Sequence, residues 1–403
     1  MAQELTSLDS ALTTILAGAK PLVDAESLAL DLALHRILAE NLTVPADVPP
    51  ADNSAVDGYA IRCADLAANQ SLPVSARIPA GTAPAALAEG TAARIFTGAS
   101  VPVGADAVVM QEETRSEGDT VTIQGPIRSG QNIRPRGQDL ARGNLALAQG
   151  TRLRPQELGL IASLGLPRVP VLRRMRVAVL ATGDELVEPG QPLKSGQIYN
   201  TNRFTLKALL AGMNCEVITC DTLGDTLAET IEALRGAATR ADLIITSGGV
   251  SVGEEDHVRA ALNALGQLSL WRLAIKPGKP LAFGHIGSTP VLGLPGNPAA
   301  VFVTFLMVAA PFIRQCQGQS ARAPVGLSLP AAFEVNKPSI RREFMRARRE
   351  WHQGQWQVTV YPNQSSGVLS SACWADGLAV VPEHCQISPG DPVVFYSFDE
   401  LMR

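Results

Sequence analysis

Apolar positions Leu8, Ala11, Leu12, Ile15 and Leu16 share one helical face and predict a helix close to the start of the chain. Residues 33–39 read as a second helical segment. Pro45, Pro49 and Pro50 then break the pattern, because proline removes a backbone donor and fixes an extended path, so a domain boundary is expected near residue 46. From there to about residue 141 the apolar runs are short and β-prone (73–78, 92–96, 107–111 and 120–124) and lie between glycines and prolines, which predicts a small β-rich domain. Helical spacing returns over 151–164. The β-rich domain at 46–141 is therefore expected as an insertion in an elongated helical domain made of 1–45 and 142–174.

From Met175 the rhythm is strand, then helix. Strands are expected at 177–180, 217–219, 242–246, 271–275, 281–283 and 291–294. Helices are expected around Phe204, Leu206, Leu209, Leu210 and Met213, at Val258, Ala261, Leu262 and Leu265, and over 299–313. The capping box Thr226-Leu227-Ala228-Glu229 opens another, with Leu227, Ile231 and Leu234 inward. This alternation implies right-handed crossovers and a doubly wound, mostly parallel sheet over 175–320, with ligands beyond the carboxyl ends of its strands. From about residue 324 to 403 the helical signal stops, and 357–361, 378–381 and 393–396 predict a small all-β domain. The fold class is multidomain, α/β and β.

Composition narrows the function. A formal charge of -4 and a pI near 5.8 argue against nucleic acid or a membrane surface as a general partner. The six cysteines form no CxxC pair and no metal-ligand spacing with the histidines, as expected of reduced thiols in a cytoplasmic protein. No basic stretch followed by an apolar one opens the chain, so no signal peptide is expected. The apolar stretch 299–313 reads as too short for a membrane span and as a buried helix.

The chemistry concentrates in loops that end the parallel strands. Thr246-Ser247-Gly248-Gly249-Val250-Ser251 leads from a strand towards a helix, and its glycines let backbone N–H groups approach an anion. Asp256 follows where a divalent cation could be held; a tight turn with a capping aspartate is the other reading of this stretch alone. Glu185 and Asp225 bring carboxylates to the same edge. Three acids beside a Gly-Gly loop would repel one another without a cation, and hard oxygen donors suit magnesium. Lys276 and Lys279 are two of only six lysines in a chain with twenty-eight arginines, and prolines pre-order the loop that presents them, which suits oxyanion binding. Pro295 and Pro298 bound a rigid turn whose N–H groups can face an anion. Asp57, Thr97, Asp139 after Arg134 and Arg136, and Arg341 add polar groups that, taken singly, also read as turn chemistry or a solvated face.

Taken in order, NSAVDGYA (53–60), RIFTGA (94–99), GADAVV (104–109), TGDEL (182–186), TSGGVSVG (246–253), KPGKP (276–280) and GLPGNP (293–298) resemble the molybdopterin molybdenumtransferases, the family to which the C-terminal domain of gephyrin belongs. The resemblance spans essentially the whole chain. It implies an elongated homodimer of four subdomains per chain: helical, inserted β, doubly wound, and a C-terminal β-barrel. The active cleft would lie between the inserted domain of one subunit and the doubly wound and C-terminal domains of the other. The implied reaction takes adenylylated molybdopterin and molybdate, cleaves the phosphoanhydride with a divalent cation, and releases AMP with molybdenum on the dithiolene.

By motif position, the resemblance implies that Glu185, Asp225 and Asp256 surround the metal and phosphates and that Lys276 and Lys279 bind the oxyanion. It further implies that Asp57, Thr97 and Asp139 come from the inserted domain, and that Arg341 and Ser366 belong to the substrate site. A molybdopterin adenylyltransferase and molybdoenzyme maturation factors are the implied protein partners. One departure is Asn200, where an aspartate is frequent in the family. Two alternatives are a scaffold and a different magnesium-dependent phosphate hydrolase; the hydrolase would turn over adenylylated substrate without molybdate.

Overall fold

A computed structural model describes residues 5–66, 70–224, 226–250, 257–320 and 322–403. Strands Glu216–Leu223, Arg176–Thr182, Leu243–Ser247 and Thr289–Leu294 lie side by side in that order and parallel. Pro280–Ile286 and Gln267–Arg272 extend the sheet antiparallel, so it is mixed. Side chains alternate across it, as the two-residue period of a strand requires. Val177, Val179, Leu243, Ile245 and Leu292 enter one core layer, and Ala178, Leu180, Ile244 and Val291 the other. Helices Leu8–Ala17, Thr201–Gly212 and Pro298–Cys316 cover the first face; Leu227–Ala238 and His257–Leu265 cover the second.

Several helical expectations are corrected. Leu227 is 40% exposed, because the helix it opens buries the stripe Thr230, Leu234 and Ala237 and its first position lies beyond that stripe. Pro298–Cys316 has 19 residues and a mean hydropathy of 1.7, so by length and composition it could cross a membrane, contrary to the reading of 299–313 as too short; 78% of its apolar window is buried inside the fold. Pro311 is accommodated in the first turn after a π-helical segment at Phe305–Ala309, where it need not donate. No helix forms over 33–39. His35 takes a positive φ of 64°, which a helix does not allow, and Ile37 and Leu38 pair with Leu172 and Val171. Residues 25–38 and 168–172 thus build the three-stranded sheet Ala25–Ala29, Arg168–Leu172, Ile37–Leu38, accompanied by the helix Pro155–Ser163. The helix Leu8–Ala17 packs instead into the core of the doubly wound sheet.

Between these segments lies a six-stranded sheet ordered Ala107–Met110, Gly58–Ile61, Ala92–Ile95, Ser71–Ile78, Thr120–Ile123, Thr114–Glu117. The C-terminal sheet runs Ile275–Lys276, Arg342–His352, Gly377–Val381, Pro392–Ser397, Leu327–Pro330, and Gln355–Val360 pairs with Arg342–His352. An isolated bridge between Ala331 and Val358 brings its two ends together around Phe333, Ala347, Val358 and Phe395. The strand expected over 271–275 is split. Its first part ends at Arg272 in the doubly wound sheet, while Ile275–Lys276 runs parallel to Arg342 and Glu343 in the C-terminal one. That crossover sets one wall of the site.

Candidate active-site cavity

A cavity of about 740 Å³ opens at the carboxyl ends of Arg176–Thr182, Leu243–Ser247 and Thr289–Leu294, and the C-terminal sheet closes its other side. Glu185, Ser247, Gly248, Gly249, Lys276, Lys279, Pro295, Pro298, Arg341 and Ser366 all line it. Asp57, Thr97 and Asp139 do not; Asp57 and Thr97 flank strands Gly58–Ile61 and Ala92–Ile95, and the Asp139 backbone bonds to Val48. Ser251, Asp225 and Asp256 lie outside the described residues.

The floor is the Gly-Gly turn. Gly248 has φ +90°, and a Cβ there would stand 2.9 Å from the Thr182 carbonyl oxygen, so a side chain is excluded on both counts. Asn202 ties this turn to the next loop: its Nδ2 donates to Ser247 Oγ at 2.8 Å and to the Gly296 carbonyl at 2.6 Å. Sequence reasoning passed over Asn202, since only the fold brings its two partners together. The helix starting at Pro298 has no cap from the Asn297 side chain; instead Ala299 N–H donates to the Ser366 carbonyl at 2.9 Å, so the C-terminal loop caps a helix of the doubly wound part.

The cations differ in their surroundings. Lys276 Nζ lies 3.1 and 3.2 Å from the two carboxylate oxygens of Glu343. Lys279 is exposed and forms no ion pair among the described residues. Behind the wall formed by Gln364, Ser365 and Ser366 sits Arg346, 1% exposed, donating to Ser371 Oγ at 2.9 Å and to the Ser365 carbonyl at 3.1 Å. It has no carboxylate partner among the described residues, and burial pushes its guanidinium down to about 10. In the sequence it was one cation in a run of them; only its burial marks it out.

Away from the cavity, Asp57 accepts from both Thr97 N–H and Thr97 Oγ1. Asp139 is placed by its backbone, which donates to the Val48 carbonyl at 3.0 Å. Arg136 is engaged with Asp47. Asn200, buried at 1% exposure, caps the helix Thr201–Gly212 by accepting from Arg203 N–H at 3.1 Å, and donates to Thr222 Oγ1 at 2.9 Å. Its amide thus gives one bond and takes one within the fold.

For the metal, no group of three His, Cys, Asp or Glu side chains close enough to hold an ion exists among the described residues, two of the three expected ligands being outside them. The described residues at this edge supply hard oxygen donors without by themselves forming an ion site. The Glu185 carboxylate folds back over Gly183, and a Cβ on Gly224 would meet Glu229 Oε2 at 2.8 Å and Asp184 Oδ1 at 3.8 Å, so the donors at this sheet edge are carboxylate oxygens.

Residues 6–165 match the family model of the MoeA N-terminal region (domain I and II), 178–315 that of a probable molybdopterin binding domain, and 328–398 that of the MoeA C-terminal region (domain IV). A molybdopterin molybdenumtransferase of Haemophilus influenzae is 42% identical over 403 residues, covering 99% of this chain and 100% of that protein. The chain belongs to the MoeA family, the molybdopterin molybdenumtransferases of molybdenum cofactor synthesis. A second MoeA relative, molybdopterin molybdenumtransferase 2 of Mycobacterium tuberculosis, is 38% identical over 86% of this chain and 88% of its own length. The crystal structure of the molybdopterin biosynthesis moeA protein from Pyrococcus horikoshii superposes with a TM-score of 0.84 at 30% identity, covering 98% of this chain and 100% of that one.

Proposed function

We propose that the cavity is where adenylylated molybdopterin meets molybdate, that the phosphoanhydride is cleaved there, and that AMP leaves while molybdenum remains on the dithiolene. The observation that carries this reading is the convergence on one cavity of a glycine turn closed to side chains, two lysines and an arginine, with Glu185 at its rim. Molybdate and the nucleotide–pterin linkage together bring several negative charges, and such a ligand needs cations and backbone donors at once.

In this reading the backbone of Ser247, Gly248 and Gly249, with Ser251, and the turn between Pro295 and Pro298 hold the phosphates. Lys276 and Lys279 hold the oxyanion, and Arg341 and Ser366 hold the far side of the substrate. Glu185, Asp225 and Asp256 would hold magnesium, which when bound polarises the phosphoryl oxygen and offsets charge on the departing AMP. Asp57, Thr97 and Asp139 are supplied by the partner subunit of a homodimer, which accounts for their distance from the cavity of their own chain. The substrate is handed over in the cytoplasm by a molybdopterin adenylyltransferase.

The test is AMP release from adenylylated molybdopterin with magnesium, with and without molybdate. Release that depends on molybdate, with molybdenum recovered on the pterin, supports the transferase. Release indifferent to molybdate points to a hydrolase, and no release in either case to a scaffold.

A further inference from the structure

Lys276 stands on a strand that the doubly wound part lends to the C-terminal sheet, directly beside Glu343 in the register. Along the facing segment the side chains alternate. Arg341 lines the cavity, Arg342 turns the other way to meet Asp9 and Glu383, and Glu343 returns to the side of Lys276. Glu343 is 8% exposed, and among the described residues its carboxylate pairs with no cation but Lys276. A carboxylate taken this far out of water needs its partner, and both of its oxygens are spent on one ammonium.

A lysine side chain is a flexible four-carbon stem carrying a point charge, so an unheld ammonium at a cavity wall samples many positions. Lys279, three residues on, is such a lysine: exposed and without an ion pair among the described residues. Lys276 is not. We propose that Glu343 is a positioning residue of the reaction, its buried carboxylate fixing the Lys276 ammonium at the cavity wall, so that Lys276 meets the oxyanion from a set point while Lys279 supplies the mobile charge. This rests on the reading of the cavity as the transferase site.

Two readouts on the intact protein test it. The first is the rate at which an amine-reactive reagent acylates Lys276 relative to Lys279, followed by peptide mass spectrometry, and it does not involve the reaction. The E343Q variant is expected to raise that ratio severalfold and E343D to leave it close to the parent value. The second is molybdate-dependent AMP release. E343Q is expected to lower kcat about tenfold with little change in KM, E343D is expected to retain most activity, and K276M/E343Q is expected to be no slower than K276M.

A Glu343 that only ties the two sheets together would lower the melting temperature while leaving the acylation ratio and kcat unchanged, and that result overturns the proposal. Multiplying losses in the double variant overturn it as well. If the parent protein releases no AMP in response to molybdate, the transferase reading fails by itself. The acylation ratio then still decides whether Glu343 holds Lys276, and an unchanged ratio refutes it.

Discussion

Thr97 donates its backbone N–H and its hydroxyl to the same oxygen of Asp57, each at 2.8 Å. The Arg94 guanidinium stands nearby, over the Tyr59 ring at 5.1 Å and the Phe96 ring at 4.9 Å. The Thr97 backbone bond first, its hydroxyl next, and the Arg94 charge after them hold the Asp57 carboxyl below its ordinary value of 3.8. Thr97 therefore fixes the orientation of the Asp57 carboxylate through two bonds to one oxygen.

Removing the hydroxyl while keeping the backbone bond separates these effects. In Thr97→Ala the Asp57 carboxyl is expected to titrate higher, closer to 3.8, and in Thr97→Ser to stay where it is, as followed by carbon-13 NMR of the carboxyl group. Identical titration in the alanine variant would mean that the backbone bond alone sets Asp57.

Gly248→Ala is expected to cost about 1–3 kcal/mol of stability and most of the activity, because φ +90° is unfavourable for a side chain and the Thr182 carbonyl blocks the Cβ. Gly236 is the control. It lies within the helix Leu227–Ala238 with nothing within 4 Å of its Cβ position, so Gly236→Ala is expected to stabilise by about 0.5–1 kcal/mol. Urea denaturation of both variants checks the contrast.

Lys279→Ala is expected to reduce molybdate-dependent AMP release at least about tenfold with the melting temperature unchanged, since the side chain is exposed and removes charge without removing packing. The residual activity is also expected to depend less steeply on salt. A parallel fall in melting temperature would assign the lysine to the fold.

Asp242 anchors the start of a central strand. It accepts from Arg173 Nη1 at 2.7 Å, Arg173 Nη2 at 2.8 Å and Arg176 N–H at 2.7 Å. Burial alone would raise its carboxyl, but the bonds from Arg173 and Arg176 outweigh it and hold the group below 3.8. A depressed carboxyl contributes stability that is fully present above its unfolded value and lost as pH falls through the folded one. Asp242→Asn is accordingly expected to cost about 3 kcal/mol at pH 7, with the gap to the parent narrowing only as the pH drops below 3.8, measured by denaturant titration at several pH values.

The parts of the fold legible in the sequence are those whose stability is local in pattern. Val177, Val179, Ile244 and Leu292 sit in short uninterrupted apolar runs of the kind a strand with two covered faces requires, and glycine loops follow the strands where the cavity forms. Arg342–His352 is a long strand that carries six charged residues, and three of them, Glu343, Arg342 and Arg349, meet partners far along the chain: Lys276, Asp9 and Asp376. No periodicity rule sees those partners. Ile37 and Leu38 became strand because Leu172 and Val171 lie alongside, a pairing invisible to a seven-residue window. Asn202 is hidden for the same reason, its bonds reaching to Ser247 and Gly296.

Ile275–Lys276 belongs by sequence to the doubly wound part and by hydrogen bonding to the C-terminal sheet. Cut free as 175–320, the doubly wound part would carry this pair as an open strand edge, with Ala299 N–H deprived of the Ser366 carbonyl. The C-terminal sheet thus completes both the edge and the helix start beside the glycine turn, so the anion-binding wall is expected to be finished only when the two parts are joined.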